Sequence, residues 1–129
     1  MNEIWKNIEG YEGKYQVSNL GRVKALEFPV FRLNGSIGLH KERIFKGSMH
    51  KMGYLFVGLR KDHYKEHIFV HRLVAHAFPE ICGEWFEGAE VDHIDGNRLN
   101  NAAENLRWVT HRDNMNNPIT VHRITVNHK

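Results

Sequence analysis

The 129-residue chain has one cysteine, Cys82. That excludes an intramolecular disulfide and any zinc site built from four thiolates. No apolar run approaches the roughly 20 residues needed to span a bilayer. The opening Met1-Asn2-Glu3-Ile4-Trp5-Lys6 is polar and mixed, unlike a secretory leader. Internal repeats, low-complexity tracts and heptads are missing as well. What is present is ordinary globular usage, 41% hydrophobic and 26% charged residues, which argues against global disorder. The length suits one domain, or two very small modules sharing a core. The expectation is a soluble, cytoplasmic protein with no membrane partner.

The net charge of +3 is modest and uneven. Residues 1–64 carry eleven Lys and Arg against six acidic residues, and residues 65–129 carry seven against nine. A basic half beside a locally acidic half suits phosphate contact in one part and metal chemistry in the other. A plain solvated surface gives the same pattern, so charge alone does not establish a nucleic-acid partner.

Along the chain, Tyr15-Gln16-Val17-Ser18 and Arg22-Val23-Lys24-Ala25-Leu26 alternate as strands around the turn Asn19-Leu20-Gly21. Trp5, Tyr11 and Tyr15 read as core aromatics. Asn34-Gly35-Ser36 and Gly38 mark a loop or hairpin tip. Residues 53–61 and 66–70 read as hairpin partners across residues 62–65. From His71 the pattern becomes helical, with Leu73, Val74 and Ala77 on one face and Pro79 as the stop. Residues 80–89 read as a connector.

Residues 90–117 carry the chemistry, and seven asparagines fall between positions 97 and 117. Val91-Asp92-His93-Ile94 reads as a strand and Asp95-Gly96-Asn97 as a tight turn. Asn105-Leu106-Arg107-Trp108-Val109 reads as a second strand. Thr110 reads as an N-cap with Asp113 three residues on, opening a helix over residues 112–116. Asp92 and His93 are neighbours in a strand and face opposite sides unless the strand ends or bulges there. A helix packed across the hairpin would bring Asn114 toward Asp92. A hard cation such as Mg2+ needs little more than one carboxylate and one amide oxygen when water and substrate phosphate supply the rest. His93 would then take a proton from the attacking water.

The residues Asp92-His93-Ile94-Asp95-Gly96-Asn97, Asn100-Asn101, Asn105-Leu106-Arg107-Trp108-Val109-Thr110 and Asn114 resemble the HNH nuclease motif, the ββα-metal or His-Me finger. More narrowly, they resemble phage and intron-encoded HNH homing endonucleases. Val70-His71-Arg72-Leu73-Val74-Ala75-His76-Ala77-Phe78 is similar to that subfamily's lead-in helix. Residues 3–26, with Glu3-Ile4-Trp5-Lys6, Gly10-Tyr11-Glu12-Gly13 and Tyr15 to Val23, resemble the small module often found before these nucleases.

The resemblance implies an α+β fold: a small N-terminal antiparallel β module over residues 1–52, an HNH endonuclease domain over residues 53–117, and a tail over residues 118–129. It makes His93 the general base and Asp92 a metal ligand. Asn105 would orient the base or fix the loop, and Asn114 would be the second metal ligand, ahead of His111. The implied cofactor is a divalent metal, Mg2+ with Mn2+ as a substitute. The implied substrate is double-stranded DNA, cut to 5′-phosphate and 3′-hydroxyl ends. Arg98, Arg107 and Arg112, with Lys14, Arg22 and Lys24 on the N-terminal sheet, are the expected DNA contacts. A chain this short buries little DNA surface, so it would act as a homodimer, nick loosely or work beside a partner. The competing reading is a non-catalytic DNA-binding module that retains the fold; intact Asp92, His93, Asn105 and Asn114 argue against it.

Other candidates have plainer readings. An Asp-Gly-Asn turn commonly bonds its own backbone, so Asp95 and Asn97 read as loop structure, as do Asn100 and Asn101. His71 and His76 are five residues apart, off the spacing of a helical zinc pair. Cys82 with His76 or His93 matches no familiar zinc spacing, and no partner marks it as a nucleophile.

Overall fold

A computed structural model describes residues 2–117. Three short strands, β1 (Trp5–Asn7), β2 (Tyr15–Ser18) and β3 (Val23–Ala25), pair antiparallel in sequence. Alternation puts Tyr15, Val17, Val23 and Ala25 on one buried face. A hairpin of β4 (Phe28–Phe31) and β5 (Ile37–His40) follows, with the expected Asn-Gly-Ser segment at its tip. The strand β6 (Arg43–Ile44) then returns to pair with β3 and completes a four-stranded sheet, β1-β2-β3-β6.

A second sheet joins β7 (Ser48–Met49), β8 (Leu55–Lys61) and β9 (Tyr64–Phe69). The β8–β9 connection is tighter than expected, because Tyr64 and Lys65 already pair with Lys61 and Arg60. Asp62 makes this possible with a left-handed φ of 55°, which its short polar side chain tolerates. Helix α1 (Val70–Ala77) starts directly from β9 and buries Val70, Leu73, Val74 and Ala75. Pro79 ends it and also opens the single turn α2 (Pro79–Cys82), so part of the expected connector is helical. The last unit is β10 (Glu90–His93), a 3-10 turn at Ala103–Asn105, β11 (Leu106–Val109) and α3 (His111–Met115). The order strand, loop, strand, helix is the one expected from the sequence.

One core runs through all of this. Val17 and Val23 of the first sheet, Val57 and Leu59 of β8, Val74 and Phe78 beside α1, and Leu106 and Trp108 of β11 belong to one buried cluster. The indole of Trp108 donates to the Ala75 carbonyl at 3.2 Å, locking β11 onto α1. The boundary expected between residues 52 and 53 falls in the turn between β7 and β8, two strands of one sheet. The proposed tail, residues 118–129, lies outside the described residues. No helix among the described residues is long and apolar enough to cross a membrane.

Candidate active site

The β10–β11 ladder places Asp92 opposite Arg107 and His93 opposite Leu106. It is regular, so Asp92 and His93 project to opposite sides. Asp92 is 2% exposed and accepts from Arg107 Nε at 2.8 Å. Asn117 Nδ2 also donates to both its oxygens, at 2.8 and 3.0 Å. A buried carboxylate requires such partners.

His93 turns toward α1 and Tyr54 and is 7% exposed. Its ring lies 5.1 Å from that of His71 and 6.0 Å from that of Tyr54, centroid to centroid. Asn101 Oδ1 lies 2.9 Å from His93 Nε2. An amide oxygen only accepts, so Nε2 carries the proton and Nδ1 keeps the lone pair. Burial holds the His93 pKa below the ordinary imidazole value, opposed by the Asn101 bond and the nearby Asp92 and Asp95 charges. The neutral ring is the form a general base needs.

The loop between the strands is a closed hydrogen-bond system. Asp95 Oδ1 accepts from the Asn97 amide at 2.8 Å and from Asn105 Nδ2 at 2.9 Å. Asp95 Oδ2 accepts from Asn100 Nδ2 at 2.8 Å. Asn105 Oδ1 accepts from the Asp95 amide at 3.0 Å, and Asn105 Nδ2 also reaches the Asn100 carbonyl at 2.9 Å. Of the two roles open to Asn105, these contacts are those of loop fixation. The residue on the imidazole is Asn101, which sequence reasoning had left in the loop. The run of asparagines signalled a bonded loop without saying which amide turns inward.

At the start of β10, Asn114 has a partner that sequence reasoning missed. Its Nδ2 donates to Glu90 Oε1 at 3.0 Å, and His111 Nδ1 lies 2.8 Å from Glu90 Oε2. These contacts hold Glu90 below the usual carboxylate range, Asn114 first and His111 second. Glu90 is two residues before Asp92 and therefore shares its face of the strand. The amide bonded to Asp92 is Asn117, not Asn114. Period-two alternation could have flagged Glu90; Asn117 lies just past α3, where helical spacing gives no guide.

Glu90, Asp92, Asn114 and Asn117 thus form one group of oxygen-bearing side chains at the junction of β10 and α3. This set of carboxylates and amides fits a hard divalent cation and does not suit a soft one. Among the described residues, no three His, Cys, Asp or Glu side chains could hold an ion by themselves. Amides, water and substrate oxygens would have to complete the shell. Arg107 already brings positive charge to Asp92.

The expected DNA contacts separate into two groups. Lys14 and Arg112 are exposed. Arg98 donates to the Met52 carbonyl at 2.5 Å, with its guanidinium 4.9 Å from the Tyr54 ring centroid, beside the His93 cluster. Arg107 is bound to Asp92. Arg22 is paired with Glu3 through two nitrogens, and Lys24 with Glu42 at 3.1 Å. Both also lie over the Trp5 ring, so each already has a carboxylate and an aromatic partner within the fold. Cys82 is buried, and burial pushes its thiol up to about 11, so it stays protonated.

The family model for HNH endonucleases matches residues 69–116, the segment from the end of β9 through α3. The chain carries an HNH endonuclease domain. A NUMOD4 motif precedes the HNH domain over residues 3–60, running past residue 52 into β8. The DNA endonuclease I-HmuI of Bacillus phage SP01 is 40% identical over 116 residues, covering 90% of this chain and 58% of that protein. An uncharacterised HNH endonuclease of Acanthamoeba polyphaga mimivirus is 36% identical, over 97% of this chain and 28% of its own length. A solved structure, described as DNA binding and cleavage by the HNH homing endonuclease I-HmuI, superposes with a TM-score of 0.71 at 39% identity. It is matched over 92% of this chain and 59% of that one. The chain therefore spans less than two thirds of the length of the relatives it matches.

Proposed function

We propose that this chain cuts double-stranded DNA by metal-assisted hydrolysis, with His93 as general base and Asp92 as the central metal ligand. The observation that carries the proposal is the His93 imidazole, buried, neutral and fixed through Nε2 by Asn101. That bond leaves Nδ1 as the basic atom, able to take the proton of the attacking water. Asp92, with the oxygen of Asn114 and help from Glu90, would hold a divalent cation, Mg2+ or Mn2+. When bound, the cation supplies charge stabilisation at the leaving 3′ oxygen.

Arg98 and Arg112 would bind phosphates flanking the scissile bond, and Lys14 would extend the contact along the N-terminal sheet. The products would be 5′-phosphate and 3′-hydroxyl ends. I-HmuI is named a DNA endonuclease, and its structure is described as binding and cleaving DNA; both support the reading.

Plasmid cleavage with Mg2+ or Mn2+, against an EDTA control, tests it. His93→Ala should cut at least about 100-fold more slowly and bind DNA as tightly as wild type. Equal loss of binding and cleavage in a folded His93→Ala chain would contradict the role of base.

A further inference from the structure

The turn between β2 and β3 belongs to the NUMOD4 segment, outside the HNH domain, yet it lies against the residue that holds His93. Gly21 in that turn has φ of +89°. A Cβ at Gly21 would sit 2.8 Å from the carbonyl carbon and oxygen of Asn101 and 3.0 Å from its Cβ. The two nearest are backbone atoms and the third is bonded directly to the backbone, so they cannot swing aside as the far end of a flexible side chain would. Two residues on, the Ala103 amide donates to the Asn19 carbonyl at 2.8 Å.

The turn is itself rigid. Asn19 is buried, and its Oδ1 accepts from the Ile4 amide at 2.7 Å. Ser18, also buried, accepts through Oγ from the amides of Leu20 and Arg22. On its other side, Asn101 holds His93 Nε2 at 2.9 Å, and both residues are more than nine-tenths buried.

We infer that the Asn19–Gly21 turn of the N-terminal module is the outer wall of the active site, with Gly21 a positioning residue that acts through Asn101 on the orientation and tautomer of His93. The module thus has a second role beside any contact with DNA. Glycine meets two demands at once: a left-handed backbone and an approach too close for any side chain. The inference rests on the reading of His93 as base.

The test is Gly21→Ala in the full chain, assayed for single-turnover cleavage and for DNA affinity. The rate should fall about 10- to 100-fold, the scale of a small misplacement of a catalytic group, with Kd and KM unchanged. In Asn101→Ala the amide that transmits the effect is gone, so adding Gly21→Ala should cost little more. Additive losses would overturn the inference, and so would a wild-type rate in folded Gly21→Ala. A parallel loss of rate and DNA affinity would assign the turn to DNA contact instead, and overturn it too.

Should Gly21→Ala fail to fold, NMR of the wild-type chain decides. The inference requires a proton contact between Gly21 and Asn101 and a single Nε2–H tautomer at His93; absence of either refutes it. His93→Ala separates the two levels: if it still cuts, the base assignment fails whatever Gly21 does. If it is inactive while Gly21→Ala is normal, only the present inference fails.

Discussion

His71 and His93 meet edge to face, and both are buried. Charging either one means removing an ion from water with little to replace the hydration. Burial pushes His71 down to about 3, with the His93 and Arg72 charges adding, and His93 is lowered mainly by burial. The unfolded chain, with imidazoles near their usual value of about 6.5, therefore takes up protons first as pH falls. The stability tied to these two rings is complete above about pH 6.5 and drains away toward pH 3. The depressed carboxylates Glu3, Glu90 and Asp95 work in a lower window, because their contribution persists until pH drops below the ordinary carboxylate range. A lower melting temperature at about pH 5 than at about pH 7.5 is thus a histidine signature. Replacing His71 with Phe, which can still stack on Phe69 as His71 does at 5.3 Å, should flatten most of that dependence. A His71→Phe chain whose melting point falls as steeply as wild type would show that the proton goes elsewhere.

Among the elements, α3 is the most exposed to small changes, since its five residues are fewer than a free helix needs. Its cap is correspondingly important: the Asp113 amide donates to Thr110 Oγ1 at 3.1 Å. Thr110→Ala should cost about 1 kcal/mol, felt mainly in the segment that presents Asn114 and Asn117. The expected result is a several-fold rise in the divalent concentration for half-maximal cleavage, with only a small drop in melting temperature. An unchanged metal requirement would mean that α3 does not position the ligands. That cap was legible in the sequence, because Thr110 and Asp113 are local signals, and so was the strand–turn–strand order around Asp95-Gly96-Asn97. Long-range pairing was not legible. The Glu3–Arg22 and Glu42–Lys24 pairs depend on how strands meet, and nothing in an asparagine's neighbours says that position 101 turns inward to an imidazole while position 105 closes a loop. Which amide meets Asp92 depended on where a one-turn helix ends, the boundary that local pattern defines least well.

For the molecule as a whole, the uneven charge read from the sequence changes meaning once the pairs are known. The Glu3–Arg22 and Glu42–Lys24 pairs lie within the N-terminal half and leave its charge balance unchanged, but they tie two of its cations to carboxylates. Counterion release makes this countable: each phosphate neutralised adds about one to the slope of log affinity against log salt. Lys14→Gln and Arg112→Gln should each lower that slope by about one and weaken binding evenly across DNA sequences. Arg22→Gln and Lys24→Gln should leave the slope unchanged and show instead a modest loss of stability, since each breaks a surface pair and a contact with the Trp5 ring. Fluorescence anisotropy on a labelled duplex, titrated at several salt concentrations, measures all four. Arg22 and Lys24 would be DNA contacts if their substitutions changed the slope as much as Lys14→Gln does. That result would also mean that their side chains leave Glu3 and Glu42 for phosphate on the duplex.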